Sequence, residues 1–180
     1  NFWWAVFFDT EWLIEQIETA EVSLKEWQAM KVSNPQSVRE QAWACFFLNR
    51  TSFSGILEQR VGPLGGRSQE SVYKIDCRFQ RQTQIARIKK IAAFRERVAG
   101  VWSMSWDQGL EQIRQQQNAG ILPTDNLFFY FDPPFFEKAD ALYRFYFKNE
   151  DHLKLRDGLV GLQDKWILSY DSAKQVEILY

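Results

Sequence analysis

The chain has few of the residues that metal sites and disulfide scaffolds require. Its 180 residues include two cysteines, Cys45 and Cys77, and one histidine, His152. They are too few for a disulfide framework or a zinc site, so we expect two reduced thiols and no bound metal. Long apolar runs are also missing, because charges interrupt every candidate before it reaches the roughly 18–20 residues of a membrane span.

A secretory leader is not visible at the first residues. Residues 1–4 read NFWW, without the basic start and the small-residue cleavage site of a signal peptide. We therefore expect a cytoplasmic protein with no membrane partner, and a monomer as the working assumption. The chain opens on Asn and enters an amphipathic pattern at once, so we also expect that it was cut at its N-terminus.

Aromatic residues are abundant where cysteine and histidine are scarce. The chain holds 8 Trp, 15 Phe and 6 Tyr, and 46% of it is hydrophobic. This composition argues against disorder, and the length suits one domain with a substantial core.

The small net charge of −1 conceals an uneven distribution. Between Arg50 and Arg97 there are eleven Lys and Arg against four Asp and Glu, which makes this stretch about +7 and the remainder about −8. A basic segment in an acidic chain indicates either a polyanionic partner such as nucleic acid or a solvated basic helix face.

The first half of the chain has helical periodicity. We predict a helix over 2–19 with a break near Asp9, a capped helix from Ser23 to Met30, and a helix that starts at Asn34-Pro35. From Asn49 to about Gln69 the periodicity fails, and four glycines and one proline between Gly55 and Gly66 predict a long, mobile loop. A short strand at 72–75 and a basic helix over 81–98 follow it.

The second half alternates between strand and helix patterns. We predict strands at 101–106, 127–131 and 166–170, and helices at 107–117, 139–147, 151–162 and 173–180. This order predicts an α/β fold whose parallel sheet is covered on both faces.

The strand at 127–131 ends in Asp132-Pro133-Pro134-Phe135. A carboxylate at this point lies at the carboxyl edge of the sheet, where open α/β folds bind ligands. The two prolines stiffen the loop and remove two N–H donors, and the phenyl ring offers a flat face. Such a site suits an amino-substituted ring: Asp132 and the Pro133 carbonyl would accept the amine hydrogens, and Phe135 would stack on the base. Asp-Pro-Pro also occurs as an ordinary turn, which is the alternative for an isolated match.

Several separated blocks resemble the Dam-like class of DNA adenine-N6 methyltransferases. The blocks follow one another in the order that the family has. They are NFWW at 1–4, FFLNRTSFSG at 46–55, FYFDPPFFEKADALY at 129–143, DHL at 151–153, KWILSYD at 165–171 and LY at 179–180. The block at 129–143, which contains Asp132, resembles motif IV of the family.

The resemblance implies a partial Rossmann-like methyltransferase sheet with a largely helical and loop target-recognition insert. Residues 1–19 would end the donor-binding half, 20–98 would form the insert, and 99–180 would be the catalytic α/β part. The implied cofactor is S-adenosyl-L-methionine and the implied substrate a flipped adenine in double-stranded DNA.

The resemblance also implies site residues. Asp132 would act where cofactor and target meet, with Pro133, Pro134 and Phe135 completing the catalytic loop, and Asp107 would contact the adenine half of the cofactor unless it only caps a helix. Arg50 would contact a DNA phosphate. We assign the other expected DNA contacts to three polar residues of the basic segment: Thr51, Ser54 and Arg67.

The chain departs from the family pattern at two points. The ring after Pro-Pro is Phe135, where the family usually has Tyr, so the hydroxyl is lost and the stacking face is kept. The glycine-rich motif I is absent from the 180 residues, because Gly62-Pro63-Leu64-Gly65-Gly66 is not a strand-to-helix turn. We therefore expect the chain by itself to bind donor weakly and to be an inactive fragment.

Two alternatives remain open from the sequence. The acceptor could be an RNA base amine, although the LNRT block favours DNA, or the chain could be a non-catalytic DNA-binding remnant. The sequence does not give the recognition site or tell whether a restriction nuclease accompanies the methyltransferase. His152 follows Asp151 at a predicted helix start, and we interpret it as structural rather than catalytic.

Overall fold

The computed structural model describes residues 1–137 and 146–180. The chain divides into two compact units, Asn1–Ser103 and Met104–Tyr180. The predicted segments 1–19 and 20–98 both lie in the first unit, and the predicted catalytic part straddles the division. Among the described residues, no helix has the length and apolar character to cross a membrane.

The first unit is helical. It contains α1 (Phe2–Phe8), α2 (Thr10–Thr19), α3 (Leu24–Val32), α4 (Val38–Thr51) and α5 (Arg81–Ala92), with short 3-10 turns at Phe53–Gly55 and Arg95–Arg97.

The helix boundaries follow from local capping chemistry. The break predicted near Asp9 is confirmed, because Asp9 leaves helical geometry at φ −147° and ψ 44° between α1 and α2. Ser23 begins α3 as predicted, since its hydroxyl accepts the Glu26 N–H at 3.2 Å. The start predicted for α4 at Asn34 is wrong. Ser37 caps this helix, with Glu40 accepting the Ser37 N–H in return at 2.9 Å.

An aromatic cluster forms the core of this unit. Phe47 is almost fully buried and its ring lies 5.6 Å from Trp43 and 5.9 Å from Phe79. Trp27 is buried beside it, and its indole N–H donates to Ser52 Oγ at 3.0 Å. Part of the aromatic content that the sequence displays thus builds the core of this unit, where ring contacts add to apolar burial.

Two predicted elements of the first unit are wrong or too long. No strand forms at 72–75: Val72 and Tyr73 are exposed, and Ile75 alone enters the core. Strand-forming side chains do not make a strand without a partner for their backbone groups. The helix predicted over 81–98 ends at Ala92, where the chain tightens into the 3-10 turn.

The glycine-rich loop is anchored to the end of α4. Phe53 N–H donates to Gly62 O at 3.0 Å, and Leu64 N–H donates to Thr51 O at 2.8 Å. Pro63 and Leu64 are buried, and Gln69 ties the loop back by donating to Leu64 O at 2.8 Å. These contacts argue against the mobile loop that the glycine content predicted.

The second unit is α/β. It contains α6 (Trp106–Asn118), β1 (Phe128–Phe131), α7 (Asn149–Val160), β2 (Lys165–Leu168) and α8 (Lys174–Leu179). The two strands pair in parallel, with Phe131 opposite Leu168. One face of the sheet, carrying Phe129 and Phe131, packs on Leu155 and Leu159 of α7.

The sheet is smaller and more open than predicted. Residues 101–105 form no strand, because Ser105 ends them as the N-cap of α6. Phe128 and Tyr130 remain more than 60% exposed, so the described part of the sheet is not covered on both faces. A continuous apolar run predicted burial that only one face receives. The helix predicted at 139–147 falls mostly outside the described residues.

Candidate functional site

Asp132 lies at the carboxyl end of β1, beside the end of β2. The pairing continues one step beyond the strands, where Ser169 N–H donates to Phe131 O at 3.0 Å. Ser169 Oγ donates to Asp132 Oδ1, and its other hydroxyl contact is Tyr130 Oη at 2.9 Å. A serine hydroxyl has one hydrogen, so Tyr130 must donate to Ser169. This Tyr130–Ser169–Asp132 series orients an exposed carboxylate with one oxygen, Oδ2, that accepts no hydrogen bond from a described residue.

The two prolines leave the loop with few backbone donors. Pro133 and Pro134 have no N–H, and no described residue donates to the Pro133 carbonyl. Two amides further along donate to one side chain: Phe136 N–H donates to Asp171 Oδ1 at 2.7 Å, and Glu137 N–H donates to Asp171 Oδ2 at 3.1 Å. Burial raises the pKa of Asp171, but these two donors outweigh it and hold the pKa below its usual value.

A cavity of about 460 Å³ opens beside this loop, within the range of small-molecule sites. Its walls are mainly apolar and aromatic and come from α6, β1, the loop and α7. They include Asp132, Pro133, Pro134, Trp106, Phe147 and Leu155. Phe135 is 40% exposed and is not among the residues that line the cavity. The structure thus brings three of the four predicted catalytic residues to one cavity and leaves Phe135 outside it.

Trp106 is a wall of this cavity that the sequence did not single out. A Cβ at Gly158 would lie 2.6 Å from Trp106 Cη2, so the glycine of α7 is what lets the indole pack there. The predicted strand at 101–106 hid this role, because it treated Trp106 as a core strand residue.

Asp107 lies in the first turn of α6 and is paired with a lysine of α7. Lys154 Nζ donates to Asp107 Oδ2 at 2.5 Å. The hydrogen bond from Lys154, followed by that from Ser105, holds the pKa of Asp107 far below its usual value. Asp107 does not line the cavity. Its carboxylate is engaged by a neighbouring helix, and Ser105 rather than Asp107 is the N-cap of α6, so the capping alternative is wrong as well.

His152 packs against Phe136, two residues after the proline pair. It is 2% exposed, its Nδ1 is hydrogen-bonded to Tyr170 Oη, and the Phe136 ring lies 4.4 Å from its own. Burial lowers the pKa of His152 against the charges of Asp151 and Asp171, which raise it. A buried, apolar-packed histidine fits the structural role that the sequence suggested.

This burial predicts a pH-dependent stability of the second unit. The unfolded His152 titrates near pH 6.5, above its lowered folded pKa, so below about pH 6.5 the unfolded chain binds more protons than the folded one. The free energy of unfolding should therefore be highest above this pH and fall as the pH drops from 7 to 5. Urea unfolding at several pH values, with amide exchange in α7 as the readout, measures this pH dependence.

The His152→Gln variant is the matched control for that titration. Glutamine carries no titrating group, and the sequence has no second histidine. The variant is expected to be less stable at pH 7 but to lose less stability between pH 7 and 5. An equal pH dependence in both proteins would rule out His152 as its source.

In the first unit, three arginines gather near the end of α4. Arg50 Nε donates to Asn49 Oδ1 at 3.0 Å, and Asn49 Nδ2 donates to Gly55 O at 2.9 Å. Arg78 Nη1 lies 3.3 Å from where a Cβ at Gly55 would be. Arg50 and Arg87 border a cavity of about 330 Å³ between α1, α4 and α5.

These arginines repel one another without compensation from the described residues. No carboxylate of residues 1–137 or 146–180 forms an ion pair with Arg50, Arg78 or Arg87. Burial, and then the charges of Arg78 and Arg87, lower the pKa of Arg50. An uncompensated positive cluster attracts an anion, so this group is a candidate contact for phosphate. Of these three arginines the sequence singled out only Arg50, because the proximity of Arg78 and Arg87 to it depends on packing.

The other predicted DNA contacts differ in accessibility. Thr51 is fully buried and its hydroxyl donates to Phe47 O at 2.6 Å, so we correct its assignment from DNA contact to helix packing. Ser54 is exposed in a left-handed conformation at φ 53°, beside Phe53, which is 64% exposed. Arg67 is exposed on the anchored loop.

A metal centre finds no support in the described part of the chain. No group of three or more His, Cys, Asp or Glu residues there could hold an ion. Cys45 and Cys77 are free thiols, as the sequence predicted.

In comparisons with known proteins, no family model matches this chain, and no curated protein matches it.

Proposed function

We propose that this chain is the catalytic and target-recognition part of an S-adenosyl-L-methionine-dependent DNA methyltransferase acting on adenine N6. One observation carries the proposal: the Asp132 carboxylate and the proline loop border one largely apolar cavity at the carboxyl edge of parallel strands. We further propose that β1 and β2 belong to a Rossmann-like methyltransferase sheet, with residues 20–98 as the target-recognition insert.

The chain's own residues would prepare the acceptor amine. The exocyclic nitrogen of adenine is a poor nucleophile because its lone pair is delocalised into the ring. If Asp132 Oδ2 and the Pro133 carbonyl accept its two hydrogens, the nitrogen is drawn toward tetrahedral geometry and its lone pair becomes available. Ser169 and Tyr130 fix the carboxylate in advance, so little reorganisation is needed when the base enters.

The aromatic walls would hold the base and exclude water. Trp106 and Phe147 line the cavity and offer flat apolar faces, while Phe135 lies outside it. Stacking of this kind contributes about 1–3 kcal/mol per base. This helps offset the few kcal/mol that extrusion of a base from the duplex costs.

S-adenosyl-L-methionine, when bound, supplies a methyl group activated by a sulfonium. The described residues fit the acceptor side of such a site better than the donor side, because the sequence has no glycine-rich strand-to-helix loop and Asp107 is paired with Lys154. We therefore propose that the donor-binding half is supplied by a segment outside these residues, and that residues 1–180 alone bind donor weakly.

The arginine cluster would supply the DNA-binding half of the activity. Arg50, Arg78 and Arg87 lie together on the first unit without carboxylate partners among the described residues. Phosphate contacts would satisfy their charge and release counterions from the duplex. The exposed Ser54 tip and Arg67 would lie against the same polyanion.

A labelled-donor assay tests the proposal. The chain is joined to a segment that carries a glycine-rich donor loop and is incubated with duplex DNA or structured RNA. We expect label in DNA as N6-methyladenine. Label confined to RNA would favour the RNA base-amine alternative. DNA binding without any transfer would favour the non-catalytic remnant, and either result would overturn the proposal.

A further inference from the structure

The segment after β2 contacts the catalytic loop at two separate points. Ser169 holds the front of the loop through Asp132 Oδ1, and Asp171 holds its rear through the amides of Phe136 and Glu137. Ser169 and Asp171 are only two residues apart, so one short segment after β2 contacts both ends of the loop. The backbone around Asp171 is itself turned, with Ala173 N–H donating to Asp171 O at 2.8 Å.

The rear contact holds a loop in which two consecutive residues donate no backbone hydrogen bond. Two of its residues are prolines without N–H groups, so ordinary backbone pairing cannot fix it between Asp132 and Phe135. Each Asp171 oxygen accepts one backbone N–H, that of Phe136 at 2.7 Å and that of Glu137 at 3.1 Å. A carboxylate that accepts two backbone N–H groups is a strong, directional anchor.

The position of the Pro133 carbonyl depends on both ends of the loop. With Asp132 fixed at one end and Phe136 at the other, the intervening carbonyl has a defined direction relative to the Asp132 carboxylate. Without the contacts from Asp171, Ser169 would still hold Asp132. The distance and angle between the Asp132 carboxylate and the Pro133 carbonyl would then vary. A displacement of about 1 Å in such an arrangement can cost about 10²-fold in rate.

We propose that Asp171 is a positioning residue that sets the Asp132-Pro133-Pro134 acceptors at the spacing the target amine requires. This inference rests on the proposed methyl-transfer function. Asp171 itself does not line the cavity and touches no reacting atom in this arrangement. The low pKa that its donors produce keeps it ionised, and thus able to accept from both amides, at neutral pH.

Asp171→Ala removes both acceptors and tests the inference in two assays. In the chain joined to a donor-loop segment, kcat is expected to fall about 10- to 100-fold while KM for DNA stays unchanged. Misplaced acceptors disturb the geometry of the reacting atoms and not the binding of DNA. Asp171→Asn keeps one oxygen acceptor and should recover part of kcat. Asp164→Asn, at the other end of β2, is the matched control and should behave as the unmodified protein.

The second assay uses the 180-residue chain without any donor. Amide exchange at Phe136 and Glu137 should be slow in the unmodified chain and in Asp164→Asn, and fast in Asp171→Ala, with unfolding measured alongside. Unchanged exchange in Asp171→Ala would overturn the anchor, and unchanged kcat would overturn its positioning role. A protein that methylates nothing yet shows this exchange pattern would refute the proposed function while leaving the anchor intact.

Discussion

Replacement of Asp132 with alanine is expected to lower the rate of adenine methylation by about 10³-fold or more. Removal of one preorganised hydrogen-bonding group at a reacting centre typically costs about 10²–10³ in kcat, and here the charge that draws on the amine is lost as well. DNA affinity should change little, because the arginine cluster lies in the other unit. Single-turnover transfer of a labelled methyl group by the chain joined to a donor-loop segment measures the effect.

Two variants make the Asp132 result specific. Asp132→Asn keeps a carbonyl oxygen that can accept one amine hydrogen, so it should retain more activity than alanine. Asp125→Ala removes an exposed carboxylate in the turn before β1 and should leave the rate unchanged. Activity retained in Asp132→Ala, or lost equally in Asp125→Ala, would show that the reacting centre lies elsewhere.

The combined change of Arg50, Arg78 and Arg87 to alanine is expected to weaken duplex DNA binding by about 10³-fold. A hydrogen bond to a charged group contributes about 1.5–3 kcal/mol, or roughly tenfold or more for each arginine that contacts a phosphate. The slope of log K against log salt concentration should fall by about 0.9 for each lost contact. Titration of the 180-residue chain at several salt concentrations gives both quantities.

The matched control removes the same charge elsewhere in the first unit. Lys74, Lys89 and Lys90 are exposed, and their combined change to alanine lowers the net charge equally. If the arginines form a defined phosphate site, the lysine variant should lose far less affinity than the arginine variant. Equal losses would indicate diffuse attraction by the whole basic segment, and no loss in the arginine variant would refute the site.

Local chemistry predicted much of the helical structure. Ser23 starts α3 and Asp9 interrupts the first helical stretch as expected, because both effects depend on residues within one turn. The error at α4 has the same origin: Asn34 and Ser37 are both acceptable caps, and Glu40 decides for Ser37 by returning a hydrogen bond. Strands were harder, since residues 72–75 and 101–106 have strand-forming side chains but no neighbouring strand among the described residues to pair with.

In the candidate site, too, the local sequence predicted some features and tertiary packing decided the others. The sequence located Asp132 at the end of a strand, because a run of strand-forming residues stops there at two prolines. It did not reveal that Thr51 is buried, although Arg50 beside it is partly exposed. One turn of helix carries adjacent residues to different faces, and only packing determines which face becomes the surface. Trp106 was missed for a related reason, since Gly158 makes its place from another helix.

The sequence by itself determined the helix caps, the uneven charge, the absence of a cysteine or histidine cluster and the position of Asp132 after β1. These properties depend on the chain within a few residues of each position. Only the tertiary structure decided that Asp171 anchors the loop, that Asp107 is paired with Lys154, and that Arg50, Arg78 and Arg87 lie together. Each of these joins residues far apart in sequence, and such contacts exist only after the chain has packed.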